Sequence, residues 1–407
     1  MSISKMNAQE EKIDRPTVKI SKDDEYVYMD FLREGGEVFD SLEELRRWFT
    51  TQFPRVFARI EEGTGYYLKK DSIDNPPSTI PGLSEDYQYV SIVQNKNKLE
   101  NKTNSLKFCD MYKNFLQMTH GYSNVAYKPR DHMMGKYEYN MWEEFVGYKA
   151  VPAAEEADEK VDVETEVKLI AFIEFLKHII CKDDEACFIY LRSWLRHIVK
   201  SPWSKTEVCM FLQSTQGCGK GFLSKFLSEV VFGQHCSSVV CGLLPLVQKH
   251  NFIVAKKSFL FIDELPTQSG EFHSAFDKMK HYITEDKIYV EPKGREGYNI
   301  DNRCNFMMSS NNVFSLKVEA TDRRYFCLQV SDEKRGDKKY WDYMFNAVLK
   351  DEVGVAFCKY LLEVPDDECV SLKDIPDTEL RQQLKNNSKC VSHRFFDDIV
   401  KGDFTFN

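Results

Sequence analysis

The stretch MFLQSTQGCGKGFLSKFL, from Met210 to Leu227, sets Gly217, Gly219, Lys220 and Gly221 between a continuous apolar run and an amphipathic one. Glycines at such a junction let the backbone turn so that several N–H groups face one anion, and a following helix adds its dipole. Lys220 would then supply a point charge for the β- and γ-phosphates of a nucleotide, with Gln216, Gly217, Cys218, Gly219 and Gly221 completing the cradle. Two positions depart from the phosphate-loop pattern G-x-x-x-x-G-K-[ST]. Ser214 stands in for its first glycine, and Gly221 replaces the hydroxyl that normally ligates magnesium. The bland alternative is a glycine-rich turn carrying a surface lysine.

Further along, FLFIDE buries four apolar residues before Asp263 and Glu264. Asp263 would hold a magnesium ion, directly or through water, and Glu264 would accept a proton from an attacking water. An acidic helix cap after a core strand is the alternative, but it requires no partner loop. In NFMMSSNN, Asn311 could orient that water or touch the γ-phosphate, whereas an ordinary Asn-rich turn needs neither. TDRRYF brings Arg323 and Arg324, which could reach a neighbouring subunit's nucleotide as an arginine finger or simply pair with Asp322. Finally, KIYVEP and YNIDNRCNF flank the turn KGREG. Lys293 and Arg295 at its tip would grip successive phosphates of a nucleic acid, with Lys278 and Lys287 as weaker candidates, unless the tip is only solvated.

These residues need elements to hold them. EVCMFLQ, SFLFIDEL, NFMMSSNN and YFCLQV read as short buried strands, and a helical run follows the glycine loop to about Val231. Strands alternating with helices predict an α/β fold with a mostly parallel sheet, whose chemistry collects at the carboxyl ends of the strands. Upstream, VKLIAFIEFLKHII and DEACFIYLRSWLRHIV read as two helices. In the second, Phe188, Leu191, Leu195 and Ile198 share a face, Asp183 or Asp184 caps it and Pro202 ends it. The acidic run AEEADEKVDVETE, 154–166, reads as a solvated linker at a domain boundary. Residues 1–138 form a small mixed region led by a mobile arm, with a short helix after Ser41. Residues 139–205 are a helical segment, 206–335 the nucleotide-site domain and 336–407 a helical cap.

A net charge of −9 argues against a protein that coats nucleic acid with its whole surface, and confines such contacts to local basic loops. No apolar run approaches membrane-spanning length, and the first residues carry charges of both signs without a hydrophobic stretch. The chain is therefore expected to work inside a cell, away from membranes and unsecreted. Its twelve cysteines include no C-x-x-C pair. Buried thiols are a simpler reading of them than zinc ligation by Cys236 and Cys241 with His235 and His250.

Taken together, STQGCGKG, FLFIDE, FMMSSNN and DRRYF resemble the motifs of superfamily 3 helicases, a class of AAA+ ATPases from viruses and plasmids. The helicase part of poxvirus-type and phage or plasmid primase-helicases is the nearest look-alike. That family packs its motifs within about one hundred residues, and Lys220 to Asn311 fits the span. The likeness runs from about 139, where YNMWEEFVGY and SPWSKTEV resemble segments preceding the motor, to about 330. It implies an AAA+ core that hydrolyses ATP with Mg2+ between the subunits of a homo-hexamer. It also implies a hairpin around Lys293 that moves along single-stranded or forked DNA, with a primase or polymerase as a further partner. Gly221 departs from the usual pattern, leaving Asp263, phosphate oxygens and water to hold the metal, since Ser224 lies one turn further on. Two other classes fit less of the pattern: an ATPase acting on RNA or protein, and a nucleotide-binding module that does not hydrolyse.

Overall fold

The computed structural model describes residues 57–60, 66–69, 91–94, 104–107, 121–122, 124–129, 138–140, 142, 144–148, 162–248, 251–255, 257–265, 270–291, 297–312 and 316–388. The chain divides into two compact units, residues 1–125 with 135–139, and residues 126–134 with 140–407. In the first unit, β1 (Phe57–Ile60) pairs antiparallel with β2 (Tyr66–Lys69) and parallel with β5 (Gly121–Tyr122), while β3 (Ser91–Gln94) pairs antiparallel with β4 (Asn104–Lys107). Two further short strands, β6 (Asn124–Ala126) and β7 (Glu138–Asn140), form a two-stranded sheet. The helix expected after Ser41 lies outside the described residues.

The second unit is built on a five-stranded parallel sheet. Its strands are β8 (Cys209–Gln213), β9 (Ser237–Cys241), β10 (Phe259–Asp263), β13 (Asn305–Ser310) and β14 (Tyr325–Gln329), in the order β14-β8-β13-β10-β9. Parallel strands buried on both faces need apolar residues of both parities, which the runs CMFLQ, FLFID and YFCLQ supply. Met210, Leu212, Phe259, Phe261, Met307, Phe326 and Leu328 point into one core, and Cys209, Phe211, Leu260, Ile262, Phe306, Met308 and Cys327 into the other. The expected α/β class and parallel sheet are thus observed. β9 was not anticipated, because SSVVC offers only Val239 and Val240 as a strand signal and is exposed at alternate positions.

One face carries α1 (Val163–Glu174), α2 (Glu185–Lys200), α3 (Lys220–Lys225), α6 (Lys338–Tyr343) and α7 (Asp351–Glu363). Between α3 and α6 in the chain come α4 (Leu244–Val247) and α5 (Gly270–Thr284), which join the other core, as does α8 (Glu379–Ser388) through Leu380 and Leu384. α1, α3 and α6 each run on into a wide π turn, Phe175–Ile180, Phe226–Val231 and Met344–Val348. Asp184 caps α2, its carboxylate accepting from the Cys187 N–H at 2.9 Å. The acidic run is only partly a linker: Asp162 caps α1 through the Thr165 N–H, and Glu164 and Glu166 occupy its first turn. There their charge complements the helix dipole, a use that a count of like charges conceals. Residues 154–161 of that run lie outside the described residues.

Candidate nucleotide site

β8 lies between β13 and β14, and β10 lies beyond β13, so the carboxyl ends of β8, β13 and β10 stand in a row. The glycine loop leaves the first, Asn311 follows the second and Asp263 ends the third. Sequence-distant groups meet here because parallel strands align their ends, the place where open α/β sheets gather ligands.

Gly217 and Gly219 adopt φ of 85° and 97°, left-handed values that a side chain would strain. Gly219 has a second constraint, since a Cβ on it would come 2.5 Å from the Trp341 ring and 2.9 Å from Phe175. Lys220 then opens α3. Its buried Nζ donates toward the Ser214 carbonyl at 3.0 Å, the Ser214 hydroxyl at 2.7 Å, the Thr215 carbonyl at 3.0 Å and Asn311 Oδ1 at 3.0 Å. Burial holds the ammonium below the usual lysine range, against the opposing pull of Cys218 and Asp263. Ser214, an oddity in the sequence, is therefore part of the lysine's setting. Thr215, Gln216 and Gly217 are exposed, whereas Cys218 is buried, its thiol 3.4 Å from the Thr215 hydroxyl.

Asp263 Oδ1 accepts from the Ser309 hydroxyl on the neighbouring strand and from the Glu264 N–H at 3.0 Å. These bonds orient the carboxylate and, among the described residues, leave Oδ2 uncommitted. Glu264 is exposed and has φ of 54°, a left-handed conformation for a residue with a full side chain. Such strain costs roughly 1–3 kcal/mol and collects where a side chain must be aimed. Its Oε2 lies 3.9 Å from the Cys241 thiol at the end of β9. Cys241 is exposed, an exception to the expected burial of the cysteines. Neither Glu264's strain nor the roles of Ser309 and Cys241 carries a signal in the sequence.

Magnesium favours oxygen ligands and retains several waters. One oriented carboxylate with a free oxygen, Asp263, fits a metal that is otherwise held by phosphate and water. Among the described residues no group of three or more His, Cys, Asp or Glu gathers as a metal site.

Arg323 and Arg324 are not brought into this cluster. They precede β14, and the Cys209 N–H donates to the Arg324 carbonyl, so they sit at the amino edge of the sheet. The five residues of β8 separate the two edges by about 16 Å at the usual rise. Arg324 is committed to Asp322, Nη1 to Oδ2 at 3.5 Å and N–H to Oδ1 at 2.7 Å, while Arg323 is exposed. The expected hairpin is present as β11 (Lys287–Val290) paired antiparallel with β12 (Tyr298–Asp301). Its tip, with Lys293 and Arg295, lies outside the described residues. Lys287 is exposed, and Lys278 donates to the Val247 carbonyl at 3.0 Å. Among the described residues, no helix is long and apolar enough to cross a membrane.

Comparison with known proteins adds a family described as being of unknown function (DUF5906), which matches residues 212–324, from the end of β8 to the arginine pair. A DNA primase-polymerase from Nitratiruptor phage NrS-1 is 24% identical over 200 residues, 49% of this chain. The chain spans 27% of that relative's length. Among solved structures, the apo C-terminal region of NrS-1 superposes with a TM-score of 0.61 at 16% identity, covering 86% of this chain and 76% of that one. The A form apo structure of the same region gives 0.56 at 17%, covering 75% of each. At these identities the likeness is one of fold: this chain is built like the C-terminal region of NrS-1.

Proposed function

We propose that this chain is an ATP-hydrolysing motor of DNA replication, with an AAA+ core of the superfamily 3 helicase type. The observation that carries the reading is the convergence of Lys220, Asn311 and Asp263 at adjacent strand ends, with the Lys220 ammonium 3.0 Å from Asn311 across 91 residues of sequence. Four oxygens share the three N–H donors of that ammonium, so one is weakly held and exchange for a phosphate oxygen loses little. Gln216 to Gly221 would line the phosphates, and Asp263 would hold Mg2+. The metal's contribution is to neutralise phosphate charge during transfer. Glu264 would take the proton of the attacking water, and Asn311 would orient that water.

The replication setting rests on the NrS-1 relative, a primase-polymerase in name. Single-stranded or forked DNA is the proposed track, gripped by Lys293 and Arg295, and a primase or polymerase the proposed partner. A homo-hexamer is the proposed assembly, taken from the resemblance to superfamily 3 helicases and supported by the position of Arg323, at the edge of the sheet remote from its own loop.

Purified protein is expected to hydrolyse ATP in a DNA-stimulated manner and to displace a strand from a fork. Lys220→Ala and Glu264→Gln should each lower turnover by at least about a hundredfold, Glu264→Gln with nucleotide binding retained. Binding without turnover in the wild type would replace the motor by a nucleotide-binding module, the outcome that Gly221 favours. Stimulation by RNA but not DNA would redirect the motor to RNA.

A further inference from the structure

The segment that follows β14 returns to the glycine loop and is fastened beside it. Val330 N–H donates to the Gln213 carbonyl at 2.8 Å, where the loop begins, and Ser331 N–H to the Ile179 carbonyl at 2.8 Å. A turn then closes from the Arg335 N–H to the Asp332 carbonyl at 2.9 Å. Trp341, whose ring packs under Gly219, donates from Nε1 to the Lys334 carbonyl at 2.8 Å. The loop is thus tied at both ends to the phosphate cradle, and Arg335 rides on it. Its Cγ is 3.9 Å from where a Cβ on Gly217 would stand. The side chain is exposed, and its guanidinium has no hydrogen-bond or ion-pair partner among the described residues, although Asp332 and Asp337 are close in sequence.

An arginine fixed by its backbone, unpaired and laid along the exposed side of an anion cradle has a simple chemical complement. Its planar fork of donors matches the oxygens of a phosphate chain, and beyond Cγ the side chain is long enough to cross the loop. We infer that Arg335 is a nucleotide-binding residue of the same subunit, closing the cradle over the phosphates from the side opposite Asn311. The inference rests on the proposed nucleotide site and adds to it a cation that no phosphate-loop pattern contains. Lys220 then holds the phosphates from beneath the loop and Arg335 from outside it. Recognition by Arg335 is of the phosphate chain and not of the base.

Equilibrium binding of ATP, ADP and adenosine to the full chain tests this, using wild type, Lys220→Ala, Arg335→Ala and Arg335→Lys. Arg335→Ala should weaken ATP and ADP by about tenfold or more while leaving adenosine and the thermal midpoint unchanged, and Arg335→Lys should recover part of the loss. Should wild type bind ATP and Lys220→Ala lose it, yet Arg335→Ala bind normally, the inference is overturned and the nucleotide site stands. Should Arg335→Ala weaken DNA binding alone, Arg335 belongs to a nucleic-acid surface and the inference is again overturned. If wild type binds none of the three ligands, the nucleotide site itself falls, and Arg335 with it.

Discussion

Gly221 is the residue that most separates this loop from the usual pattern, and its surroundings say what a side chain there would do. A Cβ on Gly221 meets nothing within 4 Å, and the residue lies in the first turn of α3. Serine is the better helix former by a few tenths of a kcal/mol, so Gly221→Ser is expected to keep or slightly raise the thermal midpoint. The new hydroxyl would stand next to Lys220 and give a metal one more oxygen. The Mg2+ concentration for half-maximal ATP hydrolysis should therefore fall, as a metal titration would read. A higher requirement in Gly221→Ser would contradict the assignment of the metal to this end of the loop. Ser214 carries the opposite lesson. Its hydroxyl accepts from Lys220 at 2.7 Å, so a position that looks like a defect in the sequence holds the lysine in place.

Between elements, two close approaches govern how the sheet presents its edge. α7 crosses the π turn Phe226–Val231 at Gly354, where a Cβ would come 2.2 Å from the Val230 carbonyl. Gly354→Ala must push the two apart and is expected to cost about 1–3 kcal/mol in urea denaturation. On the other face, Lys205 Nζ donates to the carbonyls of Tyr282, Ile283 and Glu285 at the end of α5, and burial pushes its ammonium down to about 8. A folded value below the unfolded one means that the unfolded chain binds more protons between about 8 and the ordinary lysine value. Stability from this group therefore rises with pH through that window and is lost as pH falls through about 8. Denaturation at pH 7.5 and 9.5 should show the stability of wild type minus that of Lys205→Met rising with pH; a difference that falls would refute the assignment. Continuous apolar runs made β8, β10, β13 and β14 readable from sequence, because burial on both faces demands them. β9 was not, since an edge strand half exposed needs no such run. The loop, the carboxylates and Asn311 were readable as residue types, but the bonds that aim them, from Ser309, Cys241 and a left-handed Glu264, join strands far apart in the chain and leave no local trace.

At the level of the whole particle, the proposed motor requires its arginine pair to act on a neighbouring subunit. Arg323 and Arg324 lie at the amino edge of the sheet and the glycine loop at its carboxyl edge, about 16 Å apart along β8. In the proposed motor neither would touch the phosphates of its own subunit, and Arg324 is already held by Asp322. The exposed Arg323 is the one able to serve a neighbour. Under the proposed role as an arginine finger, Arg323→Ala is expected to bind ATP as wild type does and to hydrolyse it at least about a thousandfold more slowly. Lys220→Ala has the complementary defect, a ruined loop with an intact Arg323. Mixing the two inactive variants should restore part of the activity, because some interfaces then pair the intact loop of one with the intact arginine of the other. The recovery should vanish on dilution below the concentration at which subunits associate. Activity retained by Arg323→Ala alone, or an inactive mixture that still assembles, would mean that each subunit completes its site without this arginine from its neighbour.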